Sequence, residues 1–591
     1  MGMSKKKIYQ IHIQPMGKTI SNHEEDNLAQ RIRDAGIPLN NLCGNKGLCG
    51  KCLVKIKSGK LPDINEKEKF LLGERSSQDG FRLACNIPIK SDMIIAIPPD
   101  SLLTEIKGLK TGIIHLEDME PAVKKYPFPF VPPTISHPVS IIAHIEKYFK
   151  KQNFTLAPQV WKTIANIYSE QQRSATAVFY DGSELIAVET GDNSLSNFGL
   201  AVDIGTTTVA LELVNLNNGK KIDSHMLLNG QISQGSDIIT RIGYAIQSQE
   251  NLISLRKAIQ DTLKNLIVYI LEKNNISPAH IYAVTVAGNT VMNHLFLGLP
   301  VESLARAPFF PLMDRFPLYY AEDLALPINS SAKIFIAPNI KSFIGGDISS
   351  GLTACAFFSR KGNFIFIDLG TNGEIVLKKG ETYTSTSTAA GPAFEGMNIS
   401  CGMLAQSGAV YKAWFKQGLQ ISTINGKKAC GICGTGLIDL LSLSLAKGKI
   451  SPSGRILEKD GKIKITNDIF LLQKDIREIQ LAIAAVKTGV KMILDKAGLI
   501  PSQLDGIFLA GAFGNYLNVK NAIRIGLLPG IKKEKIFFIG NSSLAGAKIL
   551  LLSRKARKDI YSQVKKIKFY SLASDSSFQD RFIQSLDIKK Y

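Results

Sequence analysis

Two segments of this chain carry the same local grammar, and that repetition restricts the fold more than any other feature. Leu200-Ala201-Val202-Asp203-Ile204-Gly205-Thr206-Thr207-Thr208-Val209-Ala210-Leu211-Glu212-Leu213 reads as apolar strand, Gly-Thr turn, apolar strand. Phe364 to Leu377 repeats it about 165 residues further on, with Asp368-Leu369-Gly370-Thr371-Asn372 at the turn. Glycine frees the backbone to approach an anion closely, successive N–H groups in such a turn form an anion-binding nest, and threonine hydroxyls add donors. An aspartate closing the first strand, Asp203, suits Mg2+ held through water. One such hairpin is a common turn, whereas two imply a duplicated fold that faces a nucleotide from both sides. A third segment, Ile507-Phe508-Leu509-Ala510-Gly511-Ala512-Phe513-Gly514-Asn515, reads as a buried strand breaking into a glycine turn and a helix. Neither a G-x4-G-K-[ST] loop nor a G-x-G-x-x-G fingerprint occurs, so the P-loop and dinucleotide folds are set aside.

Cysteines carry the second constraint. Cys43, Cys49, Cys52 and Cys85 give C-x5-C-x2-C, a long gap, then C. Three thiolates on one glycine-rich loop with a fourth from a distant strand suit a cluster of two irons. The loop glycines let the backbone wrap the cluster and turn N–H groups toward sulfur. Strand-like runs at Ile8 to Ile13, Leu53 to Lys57 and Ile94 to Ile97, with a helix at about Asn27 to Asp34, surround the loop. The set resembles a plant-type ferredoxin of β-grasp form, with one residue more between the first two ligands than the plant spacing. Zinc is the alternative for four thiolates, but zinc modules usually pair two CxxC knuckles and only one is present here. Unliganded thiols are the remaining reading.

At 591 residues the chain exceeds one ordinary domain, and at roughly 150 residues per domain it divides into three or four. Its 45% hydrophobic and 20% charged residues exclude wholesale disorder, collagen and coiled coil. The net charge of +21 invites a nucleic-acid reading, but the lysines are scattered and no aromatic-basic stripe accompanies them. The densest cluster, Arg554-Lys555-Ala556-Arg557-Lys558, reads as a solvated helix face. No run approaches the roughly 20 apolar residues of a membrane helix, and the first ten residues lack a signal-peptide core. The expectation is a cytoplasmic protein without nucleic-acid or membrane partners.

The expected domains are 1–98 for the ferredoxin, 99–138 for a linker, 139–197 for a small α+β middle domain, and 198–591 for the duplicated α/β part. Pro127, Pro129, Pro132 and Pro133 suggest a semi-rigid extended linker. In the middle domain Ile141 to Phe149 and Ala157 to Tyr168 look helical. Thr176 to Tyr180 and Leu185 to Glu189 look like strands joined at Asp181-Gly182. Cys355, Cys401, Cys430 and Cys433 read as buried thiols rather than a second cluster, and His294, on an apolar helical run, reads as structural.

The three glycine segments together resemble the phosphate-1, phosphate-2 and adenosine motifs of the actin, sugar kinase and heat-shock ATPase superfamily. That resemblance implies two lobes, each a five-stranded mixed sheet with helices, closed over MgATP. It implies Asp203 and Asp368 as catalytic carboxylates, with Gly205, Thr206, Thr207, Gly370, Thr371 and Asn372 at the phosphates and Gly511 and Gly514 at the nucleoside. Asn289, Asp347 and Glu395 are further candidates, with turn or cap roles as their alternative. A ferredoxin fused to such an ATPase resembles the reductive activators of corrinoid proteins. Gly288-Asn289-Thr290-Val291-Met292-Asn293-His294, Gly345-Gly346-Asp347-Ile348, Ala389 to Gly396, Cys430 to Gly436 and Gly540-Asn541-Ser542-Ser543 fit that family. The family implies one-electron reduction of Co(II) to Co(I) cobalamin, driven by ATP, on a corrinoid protein partner, with a low-potential electron donor and a homodimer. Some relatives carry C-terminal cysteine clusters for 4Fe–4S centres, and this chain has no cysteine after Cys433, as in the 2Fe–2S branch. A small-molecule kinase with an attached ferredoxin and a nucleotide-binding redox sensor are the rival readings.

Overall fold

The computed structural model describes all residues except 1–6, 15–17, 36, 38, 40–44, 46, 48–49, 73–79, 99–100, 102–118, 132, 137, 151–153, 170–172 and 512–515. Cys43, Cys49 and Gly514 lie outside the described residues. Among those described, no helix is long and apolar enough to cross a membrane.

The N-terminal domain is a five-stranded sheet in the order β2-β1-β5-β3-β4. Its strands are β1 (Ile8–Gln14), β2 (Lys18–His23), β3 (Leu53–Ser58), β4 (Phe81–Leu83) and β5 (Met93–Ala96), with helices α1 (Leu28–Asp34) and α2 (Glu66–Leu72). Asn27 accepts the Gln30 N–H and caps α1, as an Asn before an apolar helix should. Ile11, Leu28, Ile32, Val54 and Ile95 fill one core between helix and sheet.

The middle domain holds β6 (Val123–Pro129), α3 (Ile141–Phe149), β7 (Thr155–Leu156), α4 (Val160–Ser169), β8 (Ser174–Tyr180) and β9 (Glu184–Thr190), with sheet order β6-β8-β9-β7. The expected linker is corrected here: residues 123–129 are a strand paired antiparallel with β8 along its whole length. Its two prolines are tolerated because β6 is an edge strand, with one side free of ladder hydrogen bonds. The β8–β9 hairpin turns at Asp181 and Gly182, both at positive φ. One sheet face packs on α3 and α4 through Phe128, Phe179 and Leu185. The other packs on the next domain through Val123, Val178 and Ile186, with Tyr282 and Ala283 opposite.

The first lobe comprises β10 (Phe198–Ile204), β11 (Thr208–Asn215), β12 (Lys221–Leu228), α5 (Ile238–Ala245), α6 (Gln249–Lys273), β13 (Ile281–Gly288), α7 (Thr290–Leu297), α8 (Glu302–Ala305), β14 (Tyr319–Tyr320), β15 (Lys333–Ile336) and α9 (Gly346–Ala354). The second begins with β16 (Asn363–Leu369), β17 (Gly373–Lys379) and β18 (Thr382–Thr388). An excursion follows with β19 (Ala409–Phe415), β20 (Leu419–Thr423), β21 (Gly431–Ile432), α10 (Gly434–Ala446), β22 (Lys462–Lys464) and β23 (Phe470–Leu472). The chain closes with α11 (Gln473–Ala497), β24 (Gly506–Gly511), α12 (Val519–Arg524), β25 (Ile536–Gly540), α13 (Ser542–Leu552), α14 (Arg554–Val564), β26 (Ile567–Phe569) and α15 (Phe578–Ser585).

The sheet orders are β12-β11-β10-β13-β15-β14 and β25-β24-β16-β17-β18-β26. In each, an antiparallel three-strand meander is extended by two parallel strands. The five-stranded repeat is therefore present twice, and the expected strand number is corrected to six by one short edge strand per sheet, β14 and β26. Outer faces are covered by α6 and α7 on one lobe and by α10 and α11 on the other. Helices α9 and α13 lie in the apolar layer shared by the two sheets. The basic cluster of α14 is not wholly solvated: Arg554 Nε and Arg557 Nη2 sit 3.0 and 3.2 Å from Asp181 Oδ1 of the middle domain.

Candidate functional site

Strand β10 is central and apolar, so its end can deliver one polar side chain to an edge without disturbing the core. That side chain is Asp203. Gly205 N–H donates to Thr208 O at 2.9 Å and closes the turn, and a Cβ on Gly205 would meet that carbonyl oxygen at 2.7 Å. Behind the turn, Asn229 Nδ2 donates to Gly205 O at 2.9 Å, and the buried Arg241 guanidinium donates to Thr206 O and Gly235 O. The second hairpin repeats the arrangement: Gly370 N–H donates to Asn372 O at 3.0 Å, with Asp368 before it. Gly511, at the end of the parallel neighbour β24, has φ +92°, and a Cβ there would lie 2.6 Å from Asp368 Oδ1. Glycine is the residue that fits.

Helix α9 enters the cleft through Gly345 and Gly346. A Cβ on Gly345 would come within 2.3 Å of Thr290 N, so the start of α9 is pressed onto the start of α7. That contact places Asp347 in the first turn of α9, where its Oδ1 accepts the Ile348 N–H at 2.8 Å. Asn289 caps α7, accepting from Val291 N and donating to Phe343 O.

The two hairpins meet on one carboxylate. Thr207 Oγ1 donates to Glu395 Oε2 at 2.6 Å, and Thr371 Oγ1 donates to Glu395 Oε1 at 3.1 Å. Asp203 is held differently: Asn541 Nδ2 donates to its Oδ2 at 2.9 Å and Ser543 Oγ to its Oδ1 at 2.7 Å. Those donors lie where the chain crosses from β25 of one lobe to α13 between the sheets.

Five carboxyl groups thus share one poorly hydrated cleft, and burial raises all of them. Asp347 is pushed up to about 8 by burial and then by the charge of Asp368. Asp368 is pushed up to about 7 by burial, Asp203 and Glu395. Glu374, across the ladder from Asp368, is raised well above its usual range by burial and then by Asp347 and Asp368. Burial also raises Asp203, opposed by Ser543 and Asn541, and raises Glu395, opposed by Thr207, Thr371 and Arg241. Burial lowers Arg241 to about 9. Such a group of acids favours a cation, and oxygen donors suit Mg2+. Among the described residues no three of these groups converge to ligate a metal directly.

In the N-terminal domain Cys52 and Cys85 are buried and adjacent in the fold: Ala84 N–H donates to Cys52 O at 2.9 Å. Cys85 O accepts from Asn27 Nδ2 at 2.8 Å. The buried Glu68 receives Arg82 Nε at 2.9 Å and Leu83 N–H at 2.8 Å, which pins the strand leading to Cys85. Gly47 and Gly50 both adopt positive φ in the thiol loop, so the backbone there takes a path that residues with a Cβ rarely follow. Two buried sulfurs at the rim of a small apolar core, flanked by such glycines, fit a 2Fe–2S cluster. Of the other thiols, Cys355 and Cys433 are buried, Cys401 is half-buried and Cys430 is exposed. His294 is buried, with Nδ1 against Thr290 O at 2.7 Å, a structural role.

Arg241, Glu374, Asn541 and Ser543 escaped the sequence reading as members of this cleft. Gly540-Asn541-Ser542-Ser543 is singled out only as a segment, and no local spacing ties it or Arg241 to the hairpins.

Fold and site together define a class: a ferredoxin domain joined to a two-lobed actin-like ATPase. Residues 11–90 match the 2Fe-2S iron-sulfur cluster binding domain, residues 198–360 the RACo middle region, and residues 362–591 the C-terminal domain of RACo, the ASKHA domain. The corrinoid activation enzyme RamQ of Eubacterium limosum is 30% identical over 583 residues, covering 93% of this chain and 94% of the relative. The [Co(II) methylated amine-specific corrinoid protein] reductase of Methanosarcina barkeri is 26% identical, covering 63% of this chain and 73% of that one. The solved structure of a reductive activator for corrinoid, iron-sulfur protein superposes with TM-score 0.75 at 32% identity over 98% of each chain. The chain belongs to the family of the corrinoid activation enzymes.

Proposed function

We infer that this protein reductively activates a corrinoid protein, passing one electron to Co(II) cobalamin to give Co(I) in a process driven by ATP hydrolysis. The observation that carries the reading is the pairing, in one chain, of a thiol pocket with a two-hairpin acidic cleft, supported by relatives named for that activity. Cys43, Cys49, Cys52 and Cys85 would hold the cluster, which supplies a one-electron carrier when bound. Gly205, Thr206, Thr207, Gly370, Thr371 and Asn372 would receive the phosphates of ATP. Asp203 and Asp368 would face Mg2+ and the phosphates, with Asp347 beside them, and Gly511 and Gly514 would border the nucleoside. Asn289 contributes as the cap that seats α7 against α9. A low-potential donor would reload the protein, which would act in the cytoplasm as a homodimer.

Coupling is needed because each 59 mV uphill for one electron lowers the equilibrium about tenfold. Nucleotide offsets this only by binding differently to two states of the protein and its partner. Two hairpins on different lobes would supply such a pair of states by opening and closing around nucleotide. Reduced protein with MgATP should convert a Co(II) corrinoid protein to Co(I), read from the cobalamin absorbance under anaerobic conditions. Equal rates without ATP would refute the coupling, and no reduction of any corrinoid protein would refute the reading.

A further inference from the structure

We propose that Glu395 is the base that aligns and deprotonates the attacking water in ATP hydrolysis. The inference rests on the ATPase reading above and adds the residue that performs the proton transfer.

Three observations carry it. The first is place. Among the described residues Glu395 alone is hydrogen-bonded by side chains of both hairpins, Thr207 at 2.6 Å and Thr371 at 3.1 Å. A Cβ on Gly370 would lie 3.7 Å from Glu395 Oε1, so the carboxylate rests against the second turn itself. A terminal phosphoryl group gripped by both turns would lie beside this carboxylate.

The second is rigidity. Glu395 ends the short turn Pro392–Glu395, flanked by Gly391 at φ +75° and Gly396 at φ +77°. A Cβ on Gly396 would lie 2.5 Å from Met403 N and O, so the turn is pressed against the segment behind it. Phe394 is buried and anchors the turn in the second-lobe core. Catalysis by positioning requires a group held in this way.

The third is capacity. A carboxylate has about four lone-pair sites; the two threonine hydroxyls and the Thr371 backbone N–H use three of them, which leaves one site for a water. Asp203 has one donor on each oxygen as well, but it closes the strand at the Mg2+ position. The charged groups that act on Glu395 are Arg241 of α5, which favours its ionised form, and Asp368 of β16, which opposes it.

In the step, a water proton passes to Glu395 while the water oxygen bonds to the γ-phosphorus. The bond from that phosphorus to the β–γ bridging oxygen breaks, and ADP leaves with the electron pair. The proton then returns to solvent as phosphate departs.

The test uses full-length protein carrying its cluster. Glu395→Gln keeps the shape and removes the base. It should lower kcat for ATP hydrolysis by about 10^2 to 10^4. The dissociation constant of MgADP, measured by calorimetry, should move by less than about threefold, since the loss falls on the transition state. Wild-type kcat should fall on the acidic side as the base protonates, and in Glu395→Gln only the limb set by protonation of Asp368 and Asp347 should remain. Glu395→Asp, which keeps a base at shorter reach, should retain the limb of the base at lower kcat. An unchanged kcat in Glu395→Gln overturns the proposal. So does weakened MgADP binding with kcat unchanged, which would make Glu395 a clamp for the hairpins. If Glu395→Gln fails to bind ADP, Glu395→Asp decides: hydrolysis at the wild-type rate in that variant overturns the proposal. Wild-type protein that hydrolyses no ATP, alone or with a corrinoid protein, would sink the ATPase reading itself.

Discussion

The thiol pocket and the acidic cleft are built on opposite plans. The pocket draws its candidate ligands from 43 to 85, and its two described arms are joined by the Ala84 N–H on the Cys52 carbonyl and by the antiparallel pairing of β3 with β4 beside it. The cleft is assembled across most of the chain. Asn541 reaches Asp203 over 338 positions and Thr207 reaches Glu395 over 188. The pocket is apolar and belongs to one small core, whereas the cleft gathers five acids between two sheets. A compact pocket protects a redox centre and needs no motion. A cleft shared by two lobes responds to whatever binds between them, which is what a nucleotide-driven step requires. The middle domain is tied to the first lobe by Lys333 with Glu184 and by Tyr282 with Glu189, at 2.8 and 2.9 Å.

If the two regions are independent, each can be broken alone. The largest effect is expected from Cys85→Ser. It should abolish the visible absorption of the cluster and all electron delivery while MgADP binding stays at wild type. Full zinc occupancy in the wild-type protein would break the comparison at its first term. Asp203→Ala should lower Mg2+-dependent hydrolysis by at least about a hundredfold and leave the cluster spectrum alone. A hydrolysis rate equal to wild type would place the metal site elsewhere.

The smallest effect is on stability and sharpens the electrostatic contrast. Asp368 and Asp347 are held near 7 and 8 in the fold, against 3.8 for the ordinary side chain. The folded state therefore binds more protons than the unfolded state between about pH 4 and 8, so stability falls as pH rises through that window. Thermal unfolding of the ATPase part in chelator should shift downward from pH 5 to pH 8. Added Mg2+ should reverse the shift, and the cluster domain should not follow it. A flat profile would mean that the acids are better hydrated than the cleft geometry allows.

Much of the architecture was legible in the residues. Both Gly-Thr hairpins, the strand before Gly511, the helix at about Asn27 to Asp34 and the Asp181-Gly182 turn all rest on short-range rules of periodicity and turn chemistry. These hold whatever the rest of the chain does. The edge strand at 123–129 was misread because proline usually argues against a strand, and whether a strand lies at an edge is a property of the sheet rather than of the segment. Glu374, Arg241 and the pair Asn541 and Ser543 gave no local sign of membership in the cleft, and Glu395 entered as a candidate only through the family resemblance of its segment.

Short-range patterning therefore specifies the parts: a cysteine loop with a ferredoxin's strands, and two Gly-Thr hairpins. How those parts face one another is set by long-range packing. Packing of α9 and α13 between the two sheets sets the distance between the hairpins, so it sets which carboxylate both threonines can reach. Contacts across hundreds of residues depend on the summed burial of two sheets and their helices, and no window of a single sequence contains that sum.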